Sequence, residues 1–420
     1  MWRLHQAGRR SVRHHTNRPG SSWSHFLRGP VWPALVTLMF VTVVFLVMSS
    51  LSAASAATAC NDIQHPKCRV QLITGTSMTY LELGAPKPGE EPSDTVILIH
   101  GLTDSARSWW PTALALHKLN PALHIYAIDQ RGHGDTSMPP IAACAPAPEK
   151  CFRMQDFADD LVAFMQAKRI RKATLAGHSL GSFVVQEMAL AHPELVERAI
   201  LVATSTKGVD NVALRDYVLK EPLEGKWRKD LEAKGKVYPE DFYTLRPIDA
   251  EHEARDWIAK NWVVDPAAHP EFLKPYVGET ANVKLGTWIG ATKALLATDN
   301  TTRLLKLSVP TLVLWGVQDN IFLADPDQVA VKSVLHDAAV RQNITIYWKQ
   351  YGLKKLPASG MQEDDIGHNV QWGAPDQVAA DINAYINTGK PLPGVPYSDS
   401  PPHVDRILVD QNKSLIEQWP

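Results

Sequence analysis

Gly177-His178-Ser179-Leu180-Gly181 stands between two segments of different periodicity. Before it, Lys172–Ala176 reads as a short buried strand. After it, Ser182–His192 carries Phe183, Val184, Met188 and Leu190 at helical spacing. A strand that turns straight into a helix through G-x-S-x-G needs almost no side chain on either side of the serine, because the turn is tight. The hydroxyl is then held clear of the backbone at the mouth of a helix, where N–H groups have no intrahelical partner. The motif alone is a weak signal, and the strand–turn–helix context makes it specific. Ser179 is thus a candidate nucleophile, and the Leu180 N–H a candidate donor to an oxyanion.

The surrounding chain repeats strand–helix alternation. Residues 70–83 alternate like a hairpin around Gly75. Thr95–Ile99 is a continuous apolar run of the kind a covered parallel strand carries, and it ends at His100-Gly101. A helical stretch near Pro111–Leu119, a strand at His124–Ile128 and a helix over Gln155–Lys168 follow. Further strands are expected at Ala199–Ala203, Val309–Gly316 and Ile344–Lys349, with a last helix at Pro375–Ile386. This order predicts an α/β fold with a mostly parallel sheet covered by helices on both faces. The pattern breaks over residues 206–298, which are charged, Trp-rich (Trp227, Trp257, Trp262, Trp288) and helical in period. They read as a helical cap inserted into a core made of residues 60–205 and 299–388, its tryptophans mainly packing and some lining a pocket. Residues 389–420 read as an extended tail.

A serine hydroxyl needs a base, and the base needs an orienting carboxylate. Both follow downstream at strand ends. Asp319 comes after the strand ending Trp315-Gly316, and His368 lies in Ile366-Gly367-His368-Asn369 before the last helix. Leu102, just past His100-Gly101, offers a second backbone N–H for an oxyanion hole. His100 is expected to steady its loop without a catalytic role. Asp129-Gln130-Arg131-Gly132-His133-Gly134 reads as structural, with Asp129 paired to Arg131.

The His-Gly loop, D-x-R-G-H-G, G-H-S-L-G, the acid after W-G and the late G-H resemble, in order, the α/β-hydrolase fold superfamily, in its esterase/lipase-like branch with a cap. The resemblance covers roughly residues 70–388. It implies an eight-stranded, mostly parallel sheet, hydrolysis of carboxylic esters (lactones and thioesters being related options) through an acyl-serine, and no cofactor. A serine at the elbow speaks against the branches that attack with aspartate, the haloalkane dehalogenases and epoxide hydrolases. Asp319 and His368 are 49 residues apart, longer than that family leads one to expect. The extra length falls around Tyr351–Asp365, whose charges could add a polar wall. Two other classes of activity fit the same motifs: a ligand-binding, receptor-like protein with little turnover, and a cofactor-free haloperoxidase or C–C hydrolase. A membrane-tethered partner-binding protein is a third reading, resting on the apolar N-terminal run alone.

The chain has 420 residues, 45% hydrophobic and 21% charged, with a net charge of −1. That figure hides an asymmetry. Residues 1–59 hold six arginines and no acid, leaving 37 basic against 44 acidic residues in the remainder, a charge of −7. A mildly acidic body argues against a nucleic-acid partner. The basic stretch leads into the uncharged run Val31–Met48 and then into small residues with A-x-A sites. This is the layout of an export signal, with an uncleaved membrane anchor as the alternative. Either way the body is expected to be secreted or periplasmic. Membrane contact, if any, would run through residues 31–48. Cys60, Cys68, Cys144 and Cys151 form two close pairs, so disulfides 60–68 and 144–151 are expected, the second stapling the Pro139–Pro148 loop near the site's mouth. No His/Cys pattern suggests a metal site. The N-x-S/T positions Asn300, Asn343 and Asn412 matter only in a glycosylating host.

Overall fold

Unbroken apolar runs are satisfied only in strands covered on both faces, and the chain places them there. The computed structural model describes residues 67–86, 94–144, 147–263, 270–352, 366–393 and 416–419. The basic and apolar N-terminal segment, Cys60, Asn412 and the stretch 353–365 lie outside the described residues. The strands are β1 (Cys68–Gln71), β2 (Ser77–Leu83), β3 (Thr95–Ile99), β4 (His124–Ile128), β5 (Ala173–His178), β6 (Val196–Val202), β7 (Thr311–Gly316), β8 (Ile346–Tyr351) and β9 (Ile416–Trp419). They form one sheet in the order β1-β2-β4-β3-β5-β6-β7-β8-β9. Pairing is parallel from β4 through β8 and antiparallel at both ends. The eight expected strands are thus present, and the tail, expected to be only extended, adds a ninth along the outer edge of β8.

Alternate residues of the central strands feed two apolar layers. Ile97, Ile99, Leu175, Leu201 and Val313 face one side, while Val96, Leu98, Ala176, Ile200 and Leu312 face the other. The second layer is closed by α1 (Trp110–Leu119), the first by α2 (Met154–Ala167) and α3 (Leu180–Ala191). Between β6 and β7 the described chain is helical. The segment Ala213–Lys226 is followed by α4 (Trp227–Ala233), α5 (Ala254–Asn261), α6 (Pro270–Asn282) and α7 (Leu285–Leu296). Its two ends meet in a bridge between Lys207 and Asp299, and Gly208 N–H donates to the Thr298 carbonyl at 2.9 Å. The tryptophans form a chain of ring contacts inside it. Trp257 meets Trp227 (5.4 Å), Trp227 meets Trp288 (5.8 Å) and Trp288 meets Trp262 (5.8 Å). The chain then passes through α8 (Val329–Gln342) and α9 (Pro375–Thr388), which complete the first and second layers respectively. No helix among the described residues is long and apolar enough to cross a membrane.

Two expectations change. Asp129 does not pair with Arg131: it is fully buried, takes Lys67 Nζ at 2.7 Å and accepts from Thr79 Oγ1 and the Ala106 N–H. Arg131 reaches Asp160 at 2.8 Å instead. Adjacent side chains leave a tight turn in different directions, and each charge took the partner its direction allowed. The Cys144–Cys151 disulfide is formed, and the described residues of its loop brace the helical insertion. Tyr243 Oη donates to the Pro139 carbonyl at 2.6 Å, and Gly290 passes too close to Pro148 and Phe152 for a side chain. Cys68 is also disulfide-bonded. Asn300 is buried and donates to Gln186 Oε1, so it is a packing residue rather than a surface glycan acceptor.

One buried ion pair ties the last described loop to the sheet. Lys349 on β8 and Asp381 on α9 meet at 2.8 Å, with side chains 1% and 0% exposed, and Tyr351 Oη and the Leu392 N–H also donate to Asp381. Removing one partner strands a buried charge. Asp381→Ala should cost roughly 3–5 kcal/mol in urea unfolding, and an unchanged midpoint would refute this role.

Candidate active site

The two glycines of the elbow are required by close approach. A Cβ on Gly177 would sit on the Gly181 carbonyl, and a Cβ on Gly181 would sit on the carbonyls of Ile99 and His100. With both absent, β5, α3 and the end of β3 pack backbone to backbone. Ser179 is forced to φ +51°, ψ −119°, a conformation that costs a non-glycine residue of order 1–3 kcal/mol. Ser179 N–H donates to the Val202 carbonyl at 2.9 Å, and Ser182 returns two hydrogen bonds to the Ser179 carbonyl (N–H at 2.8 Å, Oγ at 2.6 Å). These bonds hold the strained turn in place.

Asp319 and His368 come together despite their separation in sequence. His368 Nδ1 lies 2.9 Å from Asp319 Oδ1, which also accepts the N–H groups of Ile321 and Phe322, each at 2.9 Å. The Asp319 side chain is fully buried and His368 is 12% exposed. The two loops are stitched by backbone bonds: Val317 N–H to the Tyr351 carbonyl and Gln318 N–H to the Ile366 carbonyl, both at 2.9 Å. Gly316 permits the contact, because a Cβ there would strike the carbonyls of Ile366 and Gly367. With Nδ1 on the carboxylate, Nε2 is the nitrogen left for Ser179.

Ser179 and His368 open onto one cavity of about 340 Å³, which Leu102 also lines. Leu180 is the first residue of α3, so its N–H is among those a helix leaves unpaired. Thr103, the next residue after Leu102, has φ +61°, unusual for a β-branched side chain. Its Oγ1 accepts from Trp262 Nε1 at 2.7 Å. The insertion supplies Leu214, Asn261, Trp262 and Val263 to the cavity wall. Among the described residues no cluster of His, Cys, Asp or Glu is placed to hold a metal ion.

The sequence reading missed three participants. His178, inside the elbow motif, is buried and reaches the His368 carbonyl from Nε2 at 3.1 Å. Burial above all lowers its pKa, with the neighbouring His368 adding to the effect. Asp104, four residues past His100, puts a carboxylate in the same cavity, 3.6 Å from His178 Nδ1. Trp372, just after His368, lines the far wall. The only available signal was proximity in sequence to the HG and GH loops. His100 does the expected structural work: its Nε2 accepts the Gln130 N–H at 3.0 Å, and Nδ1 lies 2.7 Å from the Gly101 carbonyl.

A family model described as alpha/beta hydrolase fold matches residues 94–375. The chain belongs to the alpha/beta hydrolase fold family. Relatives include epoxide hydrolase B of Mycobacterium tuberculosis, 23% identical over 45% of this chain and 52% of that protein. Another is 3-oxoadipate enol-lactonase 2 of Acinetobacter baylyi, 24% identical over 50% of this chain and 67% of that one. The chain thus spans about half the length of the first of these. An esterase from Exiguobacterium antarcticum superposes with a TM-score of 0.54 at 14% identity, covering 76% of this chain and 99% of that one. A laboratory-evolved potato epoxide hydrolase gives 0.55 at 17% identity, covering 77% and 99%.

Two outcomes follow from this geometry. Gly181→Ala should loosen the β3–α3 contact and lower stability by roughly 1–3 kcal/mol, read by thermal unfolding. His100, His133 and His178 are all buried with lowered pKa values, burial being the main cause, and His133 is brought down to about 4. The unfolded chain binds protons at these sites from pH 6.5 downward and the folded chain does not. Their stability contribution is therefore present above pH 6.5 and lost as pH falls through each lowered pKa, for His133 down to about 4, at up to about 1.4 kcal/mol per pH unit. A flat urea midpoint across that window would contradict it.

Proposed function

We propose that this protein is a serine hydrolase that cleaves carboxylic esters, with lactones and thioesters as chemical equivalents, through an acyl-serine intermediate. The observation that carries the reading is the Asp319–His368 hydrogen bond at Nδ1, on the same cavity as the strained Ser179. In this reading His368 Nε2 takes the Ser179 proton as Oγ attacks the carbonyl carbon. Asp319 fixes the tautomer and stabilises the imidazolium. Negative charge develops on the carbonyl oxygen within reach of the Leu102 and Leu180 N–H groups. His368 then returns the proton to the leaving alcohol, and water enters by the reverse sequence to release the acid.

The nucleophile supports an ester over an epoxide. Epoxide-opening relatives are among the matches, but the resemblance ties that chemistry to an aspartate at the elbow, and this chain has Ser179 there. The enol-lactonase and esterase likenesses agree with an acyl substrate. The layout of residues 1–59 and the disulfide at Cys144–Cys151 support an exported body, since such bonds persist outside the reducing cytoplasm.

The test is hydrolysis of p-nitrophenyl esters from acetate to palmitate. Ser179→Ala and His368→Gln should each lower kcat/KM by roughly 10⁴-fold or more, and Asp319→Asn by about 10⁴-fold. Full activity in Ser179→Ala would overturn the reading.

A further inference from the structure

Asp104 is the one acidic side chain among the described residues lining the cavity over Ser179. Its side chain is 8% exposed and faces one nitrogen, His178 Nδ1, at 3.6 Å, beyond hydrogen-bond length. Its partner nitrogen is fixed by the other side of the ring. His178 Nε2 points at the His368 carbonyl, which can only accept, so Nε2 carries the hydrogen and Nδ1 of the neutral ring is a lone pair. Among the described residues no donor is bonded to the Asp104 carboxylate. Nearby cations are already engaged: Arg107 holds Glu279 at 2.7 Å, and Lys67 holds Asp129 at 2.7 Å and Asp135 at 3.2 Å. A carboxylate this buried is costly unless something positive meets it.

Two aromatic side chains are tied to the residues that flank it in sequence. On the Thr103 side, Trp262 Nε1 donates to Thr103 Oγ1 at 2.7 Å. On the Ser105 side, the Ser105 N–H donates to Tyr276 Oη at 3.2 Å, and the Tyr276 ring packs on Trp372 at 4.8 Å. Trp262 and Trp372 both line the cavity. A desolvated carboxylate in a cavity that two tryptophans also line suits an ammonium group, attracted both by the charge and by the ring quadrupoles.

We propose that Asp104, with Trp262 and Trp372, binds a positively charged ammonium group on the ester, so that the enzyme prefers cationic esters to neutral ones of the same shape. This rests on the ester-hydrolase reading of the same cavity. The cation can be carried on the alcohol or on the acyl half. Its capture close to Leu102 orients the carbonyl toward Ser179 and offsets the field that Asp104 would otherwise exert on the developing oxyanion.

Two matched pairs of substrates test it. Acetylthiocholine against 3,3-dimethylbutyl thioacetate places the charge on the leaving group. p-Nitrophenyl 4-(trimethylammonio)butanoate against p-nitrophenyl 5,5-dimethylhexanoate places it on the acyl group. One pair should favour the cation by about tenfold or more in kcat/KM. That ratio should fall toward one in Asp104→Asn and recover in part in Asp104→Glu. A ratio of one or below in both pairs of the unmodified protein overturns the proposal, as does a ratio unchanged in Asp104→Asn. If Asp104→Asn does not fold, the unmodified ratios and Asp104→Glu decide. If no ester is turned over and Ser179 does not react with a fluorophosphonate, the hydrolase reading has failed by itself. Choline titration followed by tryptophan fluorescence then decides the cation site: saturable quenching weakened in Asp104→Glu supports it, and no quenching overturns it.

Discussion

Backbone packed directly against backbone, at the carboxyl ends of β3 and β5, is the constraint on which the site depends. Gly177 and Gly181 have no room for a Cβ, and their contacts with each other and with Ile99 and His100 leave Ser179 one conformation. The strain of that conformation is sustained because the central strands around it are buried on both faces. A mobile turn would relax and lower the hydroxyl into the backbone. Rigidity of the sheet and presentation of Ser179 to the cavity therefore have one cause. Gly316 repeats the solution at the other end of the cavity, where the Asp319 loop lies against the His368 loop.

Much of this was legible from the chain. Thr95–Ile99 and His124–Ile128 are strands to the residue, because unbroken apolar runs have few other places to go. Asp319 and His368 were found by their positions after strands, and their side chains do meet. The ninth strand was not legible: Ile416-Glu417-Gln418-Trp419 has no extended apolar pattern, and it pairs only because β8 offers an open edge. The partner of Asp129 was misread because a turn's side-chain directions depend on its dihedrals, which residue types do not reveal. Asp104 was invisible for a related reason. An acid in a loop is usually solvated, and residue types do not reveal that this one is buried in the cavity wall.

The helical insertion contributes to the cavity without contributing to the sheet. Its ends meet at Lys207 and Asp299, so it can differ from relatives without disturbing β6 or β7. The chain of indole contacts from Trp257 to Trp262 carries packing from its interior to the wall of the cavity. The cavity wall is thus divided: Ser179 follows a strand end, and the insertion supplies Leu214, Asn261, Trp262 and Val263.

The backbone bonds between the acid and base loops bear on how this protein can change over generations. Strand β8 ends at Tyr351 and the His368 loop begins at Ile366, and the carbonyls of those two residues are held by consecutive N–H groups, Val317 and Gln318. Whatever lies between them begins and ends at nearly one point. For such a loop each doubling of length costs only ~0.6 kcal/mol of closure entropy. Insertions and deletions there can accumulate while Asp319 and His368 stay in register, so that this part of the sequence is open to variation at little risk to their contact.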